Sequence, residues 1–129
     1  MLKNAKQIVP VLPVTDLERS KKFYRDTLGL SEIRRDLPDG GVDYGRSGGA
    51  QLHIFPKPGV TGSGSTTAMF FVDDLEAAVA DLKRRGLTFE RFDMPGVTWE
   101  GDIARIGSDK GAWFKDPDGH WFAIGTEPA

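Results

Sequence analysis

Apolar and polar residues alternate near the end of the chain in a pattern that predicts a β-hairpin. Residues 113–125 contain two aromatic-rich runs separated by Asp-Pro-Asp-Gly at 116–119. Proline sets φ at the second position of such a turn, and glycine accepts the positive φ that closes it. In the returning strand, a period of two separates a bulky apolar face from a face that combines Trp121 with Ala123 and Gly125. The small residues of that second face leave room for a packed helix or a ligand.

Apolar residues three and four positions apart predict two helices. For the first, residues 15–16 offer an N-cap, Glu18 completes a capping box with Thr15, and the pattern continues to about residue 27. The second helix begins after an aspartate cap at 73–74 and ends at Gly86.

Shorter apolar runs between glycine-rich turns predict strands. The first strand is interpreted as buried on both faces, and its two prolines restrict it to an edge or a bulge. Tyr44 and Arg46 are expected on a solvated face of a short strand. The predicted strands cover residues 8–14, 31–36, 42–46, 50–55, 66–72 and 87–92, and residues 99–107 are an irregular stretch with some strand character.

The order of predicted elements repeats within the chain. Asp-Leu-Glu occurs at 16–18 and again at 74–76, an offset of 58 residues, and each half predicts a strand, a helix and three further strands. The sequence therefore predicts an α+β domain built from one module at residues 1–56, a Pro/Gly/Ser-rich linker at 57–65 and a second module at 66–129. If helices cover one side of each sheet, the two other sides can enclose a cleft.

Composition narrows the class of protein. The chain has 129 residues, of which 39% are hydrophobic and 28% charged, with a net charge of -2 and no cysteine. These values predict one globular domain without disulfides or thiolate chemistry. The apolar runs are too short for a signal or membrane segment, and no basic stripe covers a face. We therefore expect a cytoplasmic protein that binds neither nucleic acid nor membranes.

Three stretches, in this order and spacing, resemble the vicinal oxygen chelate superfamily, which includes glyoxalase I, the bleomycin resistance proteins and the extradiol dioxygenases. The resemblance implies an α+β fold of two βαβββ modules whose curved sheets form a cup, a ligand held inside the cup, and assembly as a homodimer. The stretches are Val-Leu-Pro-Val-Thr-Asp-Leu-Glu at 11–18 running into Phe23-Tyr24 and Leu28-Gly29-Leu30, Phe-Val-Asp-Asp-Leu-Glu at 71–76, and Phe-Lys-Asp-Pro-Asp-Gly at 114–119.

The resemblance also maps the positions at which metal-dependent members carry their ligands. These positions hold Val9, His53, Thr67 and Ala123 in this sequence. Only His53 ligates a metal in the usual way, whereas a catalytic site normally needs three protein donors. We therefore expect neither a metal nor another cofactor, and the sequence is most similar to the bleomycin-resistance-like branch, which binds its drug without a metal.

The candidate ligand-binding residues combine aromatic, apolar and a few polar side chains on strand faces that the alternation turns toward the cup. Each tryptophan alone is typical of a core, and a single strand histidine is typical of a half-buried position; together they favour a wall for a flat ligand. Affinity would come from stacking and burial, and orientation from Gln51, His53 and Thr67. The candidates are Gln51, His53, Phe55, Thr67, Met69, Phe71, Trp99, Trp113, Trp121 and Ala123.

The sequence thus predicts a small-molecule-binding protein that sequesters an aromatic or amphipathic compound, such as an antibiotic or toxin. Three alternatives stay open. One is a metal-independent lyase or isomerase with His53 as the catalytic general base. Another is a metal-dependent glyoxalase- or dioxygenase-type enzyme whose ligands have moved to Glu100 or Asp102 beside His53. The last is a structural or protein-binding role.

Overall fold

The computed structural model describes residues 1–127, which form an α+β fold with two sheets. The fold class predicted from the sequence is confirmed. The chain divides into two compact units, one covering residues 1–60 and the other beginning at Thr61. The first unit contains a short 3-10 helix at Leu2–Asn4, β1 at Val11–Val14, α1 at Leu17–Lys22, a π-helical segment at Phe23–Thr27, β2 at Glu32–Arg34, β3 at Val42–Gly45 and β4 at Gln51–Pro56.

The second unit repeats the strand–helix beginning of the first but continues with five strands where the sequence predicted three. The additional strands form a hairpin, β7–β8, in the stretch that the sequence marked only as irregular. Within residues 1–127, neither helix has the length and apolar character needed to cross a membrane. The elements are β5 at Thr66–Phe71, α2 at Leu75–Arg84, β6 at Phe89–Glu90, β7 at Thr98–Glu100, β8 at Ile103–Ile106, β9 at Asp109–Lys115 and β10 at Trp121–Gly125.

The two α-helices begin with the same cap. The Oδ1 atom of Asp16 accepts a hydrogen bond from the backbone N–H of Arg19 at 3.1 Å, and Oδ1 of Asp74 accepts one from Ala77 at 3.0 Å. Each bond satisfies one amide of the first helical turn. The capping box predicted for Thr15 is wrong, because Asp16 supplies the capping oxygen.

In the first unit, the strands run in the order β1-β4-β3-β2, with β1 parallel to β4 and the other pairs antiparallel. The edge position predicted for the Pro-containing strand is confirmed. Its burial on both faces is not, because Leu12 and Val14 are buried while Val11 is 58% exposed. The helical side of this sheet therefore forms the core, and the other side, which carries Val11, is less buried and is called the open side below.

Tyr44 belongs to that core, and the solvated position predicted for it is wrong. Its side chain is fully buried and its ring stacks on Tyr24 with the centroids 6.1 Å apart. Burial raises the pKa of the Tyr44 phenol to about 12. Arg46, the next residue on that face, lies beyond the end of β3 and is exposed, as predicted.

In the second unit, the strands run in the order β5-β10-β9-β8-β7, and β6 pairs with β9 beside this path. The β9–β10 hairpin is the one predicted from Asp-Pro-Asp-Gly: the N–H of Gly119 bonds to the carbonyl of Asp116 at 3.0 Å, and Gly119 has φ of 82°. Phe114 and Phe122 stack across this hairpin with their centroids 5.3 Å apart. They form the core of the unit together with the buried face of α2.

Part of the segment predicted as a linker packs against this hairpin turn. The backbone N–H of Gly62 donates to the carbonyl of Asp118 at 2.9 Å. A Cβ atom at residue 62 would lie 1.9 Å from the carbonyl oxygen of Gly119. Only glycine fits this close approach, so residue 62 is a fixed part of the second unit.

Candidate functional site

An open cavity of about 290 Å³ lies on the second unit. Its aromatic walls come from the predicted hairpin: Trp113 stands on β9 and Trp121 on β10. Trp113 pairs with Ala123, two positions along from Trp121, so the two indoles share one face of the sheet. The cavity is lined by Gly64, Thr66, Phe92, Trp113 and Trp121.

Phe92 is the central ring of an aromatic cluster that also contains Trp99, Trp113 and Trp121. Its ring centroid lies 5.1 Å from that of Trp113, 5.8 Å from Trp99 and 6.2 Å from Trp121, and all three contacts are edge to face. Edge-to-face pairs at these separations are attractive because the ring edge is positive and the face negative. The cluster therefore holds the indoles in fixed orientations around the cavity.

Two cations stand over rings of the aromatic cluster. The ammonium of Lys115 lies 5.3 Å from the ring centroid of Trp121, and the guanidinium carbon of Arg91 lies 5.3 Å from that of Trp99. Lys115 is also 3.5 Å from a carboxylate oxygen of Glu90. The rim of the apolar cavity is therefore charged.

The structure brings together only some of the predicted site residues of this unit. Trp113 and Trp121 line the cavity, Trp99 contacts Phe92 and Trp113 beside it, and Ala123 is buried opposite Trp113. The other three lie along β5 with exposed side chains and do not line this cavity: Thr67, Met69 and Phe71.

Three residues of the lining were not among the sequence candidates. Phe92 lies just beyond β6, in a stretch whose pairing partner the sequence does not specify. Gly64 lies near the end of the segment predicted as linker, and Thr66 is the first residue of β5. The local sequence pattern does not predict that they lie near the hairpin, although Thr66 is next to Thr67, one of the predicted ligand-binding residues.

In the first unit, His53 lies between two carboxylates. Its Nδ1 atom is 2.7 Å from Oδ1 of Asp43, directly opposite on β3, and its Nε2 atom is 2.6 Å from Oδ2 of Asp39 in the turn before β3. The second oxygen of Asp43 accepts hydrogen bonds from Arg34, at 2.8 Å to Nε and 2.6 Å to Nη2. These four side chains form one network on the open side of the sheet, which we call the His53 network.

The His53 network favours the imidazolium form of its histidine. Both ring nitrogens must carry hydrogen to donate to two carboxylates. Burial by itself lowers the pKa of His53, but the hydrogen bonds and charges of Asp39 and Asp43 outweigh burial and raise the pKa above its ordinary value. The bond from His53 in turn lowers the pKa of Asp39.

The two remaining candidates of this unit flank His53 on β4. Phe55 stacks beside the imidazole, with the ring centroids 6.2 Å apart and the planes at 18°. Gln51 donates from Nε2 to the backbone carbonyl of Arg46 at 3.1 Å, which ties it to the turn between β3 and β4. His53 and Phe55 thus form a flat stacked surface, whereas Gln51 stabilises the turn between β3 and β4.

The side chains do not fit a metal centre. Of the four positions that the family resemblance maps to metal ligands, Val9 and Ala123 have no donor atom and Thr67 carries only a hydroxyl. At the fourth, both nitrogens of His53 are engaged by carboxylates. Among residues 1–127, no group of three or more His, Cys, Asp or Glu side chains is arranged to hold a metal ion.

Comparison with known proteins identifies one family. The model of the family described as the glyoxalase/bleomycin resistance protein/dioxygenase superfamily matches residues 6–124. No curated protein sequence matches the chain significantly.

Solved structures share the fold. A bleomycin resistance determinant encoded on the transposon Tn5 is 23% identical with a TM-score of 0.71, and the match covers 95% of this chain and 98% of that one. A bleomycin-binding protein complexed with bleomycin is also 23% identical, with a TM-score of 0.69 and the same coverage. The oxidase ChaP-H2 is 25% identical with a TM-score of 0.67, and the match covers 95% of this chain and 94% of the oxidase. Similar folds therefore include a bleomycin-binding protein and an oxidase.

Proposed function

Because the chain belongs to the glyoxalase/bleomycin resistance protein/dioxygenase superfamily, we propose that it binds a small aromatic or amphipathic molecule and acts by sequestering it. The observation that carries this proposal is the cavity of about 290 Å³ with walls from Phe92, Trp113 and Trp121. Its volume is at the lower end of ligand pockets, so it would hold the ring system of a ligand and leave polar parts outside. The fold shared with two bleomycin-associated proteins supports an antibiotic or toxin as the ligand class.

Sequestration is favoured over catalysis by the state of His53. A general base must be neutral near the working pH in order to accept a proton. His53 donates toward Asp39 and Asp43, and its raised pKa favours the protonated form. The lyase or isomerase hypothesis would therefore require His53 to lose both a proton and a carboxylate contact before it could act.

A fluorescence titration tests the binding proposal. The three tryptophans of the chain all belong to the aromatic cluster, so their emission reports directly on the cavity. Bleomycin and the flat neutral probe 2-naphthamide would be added to wild type and to Trp121→Phe. We expect saturable quenching and a raised Tm for at least one probe, with weaker binding by the variant. If neither probe binds wild type, the proposal is wrong.

The same proposal includes binding without a metal. Divalent metal content would be measured per chain in protein purified without chelator and without an affinity-tag metal. We expect no stoichiometric ion, because only His53 among the four mapped positions is a usual ligand, and no group of three His, Cys, Asp or Glu side chains in residues 1–127 is arranged to hold a metal ion. A stoichiometric ion that is lost in His53→Gln would contradict the proposal and would favour a metal enzyme of the same superfamily.

We also propose that the protein is a homodimer. The support is the apolar surface of β5, where Met69 is 56% exposed and Phe71 is 52% exposed. Adjacent exposed apolar side chains of this size are typical of an interaction surface. Light scattering after size exclusion would give the mass, and Met69→Lys should favour the monomer. A monomeric wild type at the concentrations used for titration would contradict this assembly.

A further inference from the structure

The cavity combines an uncharged lining with a charged rim that includes Lys115. None of the five lining residues carries a charge. Outside the lining, Lys115 pairs with Trp121 across the β9–β10 hairpin and places its ammonium 5.3 Å from that ring. Arg91 places its guanidinium 5.3 Å from Trp99. The charges that a bound ligand meets first are therefore those of the rim.

An ion pair adjoins the cavity walls. Glu90 lies opposite Trp113 on the paired strand β6, and its carboxylate is 3.5 Å from the ammonium of Lys115. Beyond this ion pair, Arg91 adds a second cation over the aromatic cluster, at Trp99. The Lys115 side chain is 42% exposed, so its ammonium can reorient toward a ligand group without leaving water completely.

We propose that the preferred ligand is a flat aromatic anion, with its rings against the indoles and its anionic group paired with Lys115. This inference rests on the proposed binding function and specifies the ligand class for the same cavity. Aromatic cages also attract organic cations. Here, however, two of the four rings already have protein cations over them, and a ligand cation would meet like charge. A carboxylate or phenolate gains an opposite charge at the same place.

Three probes of matched shape test which ligand charge the cavity prefers. They are the anion 2-naphthoate, the neutral 2-naphthamide and the cation 2-naphthyl-trimethylammonium. Their affinities would be measured by tryptophan quenching at low ionic strength and pH 7. We expect wild type to bind naphthoate about two- to fivefold more tightly than naphthamide, as for a partly exposed ion pair, and the cation most weakly. Added salt should reduce the preference for naphthoate and leave naphthamide unchanged.

Variants of Lys115 test whether this residue causes the preference for the anionic probe. Lys115→Met retains an apolar stem and should bring naphthoate to the affinity of naphthamide, whereas Lys115→Arg retains the charge and should keep the preference. Lys110→Met is the matched control on the same strand, because Lys110 pairs with Glu76 on α2, at 2.6 Å. That variant should leave the affinities of all three probes unchanged.

The outcomes separate the two proposals. Three results would overturn the anionic ligand class and leave the binding function in place. They are equal binding of naphthoate and naphthamide, tightest binding of the cation, and a preference for naphthoate that survives in Lys115→Met. Failure of all three probes and of bleomycin to bind would overturn the binding function and the inference with it.

Discussion

Phe92 and Trp113 meet edge to face, with their ring centroids 5.1 Å apart and their planes at 72°. Phe92 stands outside the regular strands, whereas Trp113 is held in the middle of β9. The cavity therefore depends on a residue whose position is set by its ring contacts more than by strand pairing. This relationship gives the first prediction.

Replacement of Phe92 by alanine should weaken binding of 2-naphthamide about two- to tenfold, because an aromatic pair contributes about 0.5–1.5 kcal/mol beyond simple burial. The side chain is 36% exposed, so we expect a smaller loss of stability than for a core phenylalanine. Fluorescence titration measures the affinity and thermal unfolding measures the Tm. Ile106→Ala is the control, since Ile106 is an exposed apolar residue on β8 of the same unit, and an equal effect there would contradict a specific role of Phe92.

The His53 network predicts a pH dependence of stability. The raised pKa of His53 means that its stabilisation is complete below the ordinary value of 6.5 and is lost as the pH rises through the folded-state value. The lowered pKa of Asp39 means that its stabilisation is present above 3.8 and is lost as the pH falls through the folded-state value. Together they place the largest contribution of the network between these two pH values.

Urea unfolding at a series of pH values would measure this contribution. The difference in free energy of unfolding between wild type and His53→Gln should be largest in mildly acid solution and should shrink as the pH rises above neutral. The glutamine keeps a polar side chain of similar length but does not titrate. A difference that is constant across the series would show that the histidine is not held as a cation by Asp39 and Asp43.

Gly62→Ala should destabilise the protein because the new Cβ atom would lie 1.9 Å from the carbonyl oxygen of Gly119, which belongs to a rigid turn. A shift of the backbone would also stretch the bond from the Gly62 amide to Asp118. We expect a loss of about 1–3 kcal/mol, measured as a lower Tm. Gly49→Ala is the control, since its Cβ would meet only the side chain of Arg46 at 3.4 Å, and equal losses would contradict the steric explanation.

Asp74→Ala should cost about 1 kcal/mol in the free energy of unfolding, through loss of the bond to the Ala77 amide at the start of α2. Asp73→Ala removes the same charge one residue earlier without removing that bond, and should change stability by less than about 0.5 kcal/mol. Chemical denaturation of both variants makes the comparison. If the two losses are alike, charge near the helix end matters more than the cap.

Local signals in the sequence predicted much of the fold. The aspartate caps, the glycine that ends the second helix and the Asp-Pro-Asp-Gly turn each act within a few residues, so the chain specifies them without knowledge of its tertiary contacts. The duplication at 58 residues followed from those signals. The β7–β8 hairpin was not resolved because its strands have three and four residues, too few for a clear period of two.

The candidate site was predicted less completely because it depends on pairing between distant strands. The sequence assigned Trp113 and Trp121 to one aromatic wall but could not bring Phe92 to them. It also assigned Tyr44 to solvent, since it does not say which face of a short strand is covered by a helix. A usable signal for the His53 network did exist: Asp43 and His53 lie at equal distances in sequence from Gly48, so a hairpin turn centred there sets them opposite each other.

The first strand of each unit lies at an edge of its sheet, and these two strands, β1 and β5, differ in how they are protected from other chains. β1 contains Pro13 and follows Pro10, and proline cannot donate a hydrogen bond to an added strand. β5, which pairs only with β10 among the strands of residues 1–127, contains neither proline nor charge. Two threonines and a run of apolar side chains on such an edge are typical of a nucleus for aggregation. We therefore expect β5 to limit the solubility of the protein at high concentration. A single lysine introduced in β5 should raise the solubility more than a single lysine introduced in β1.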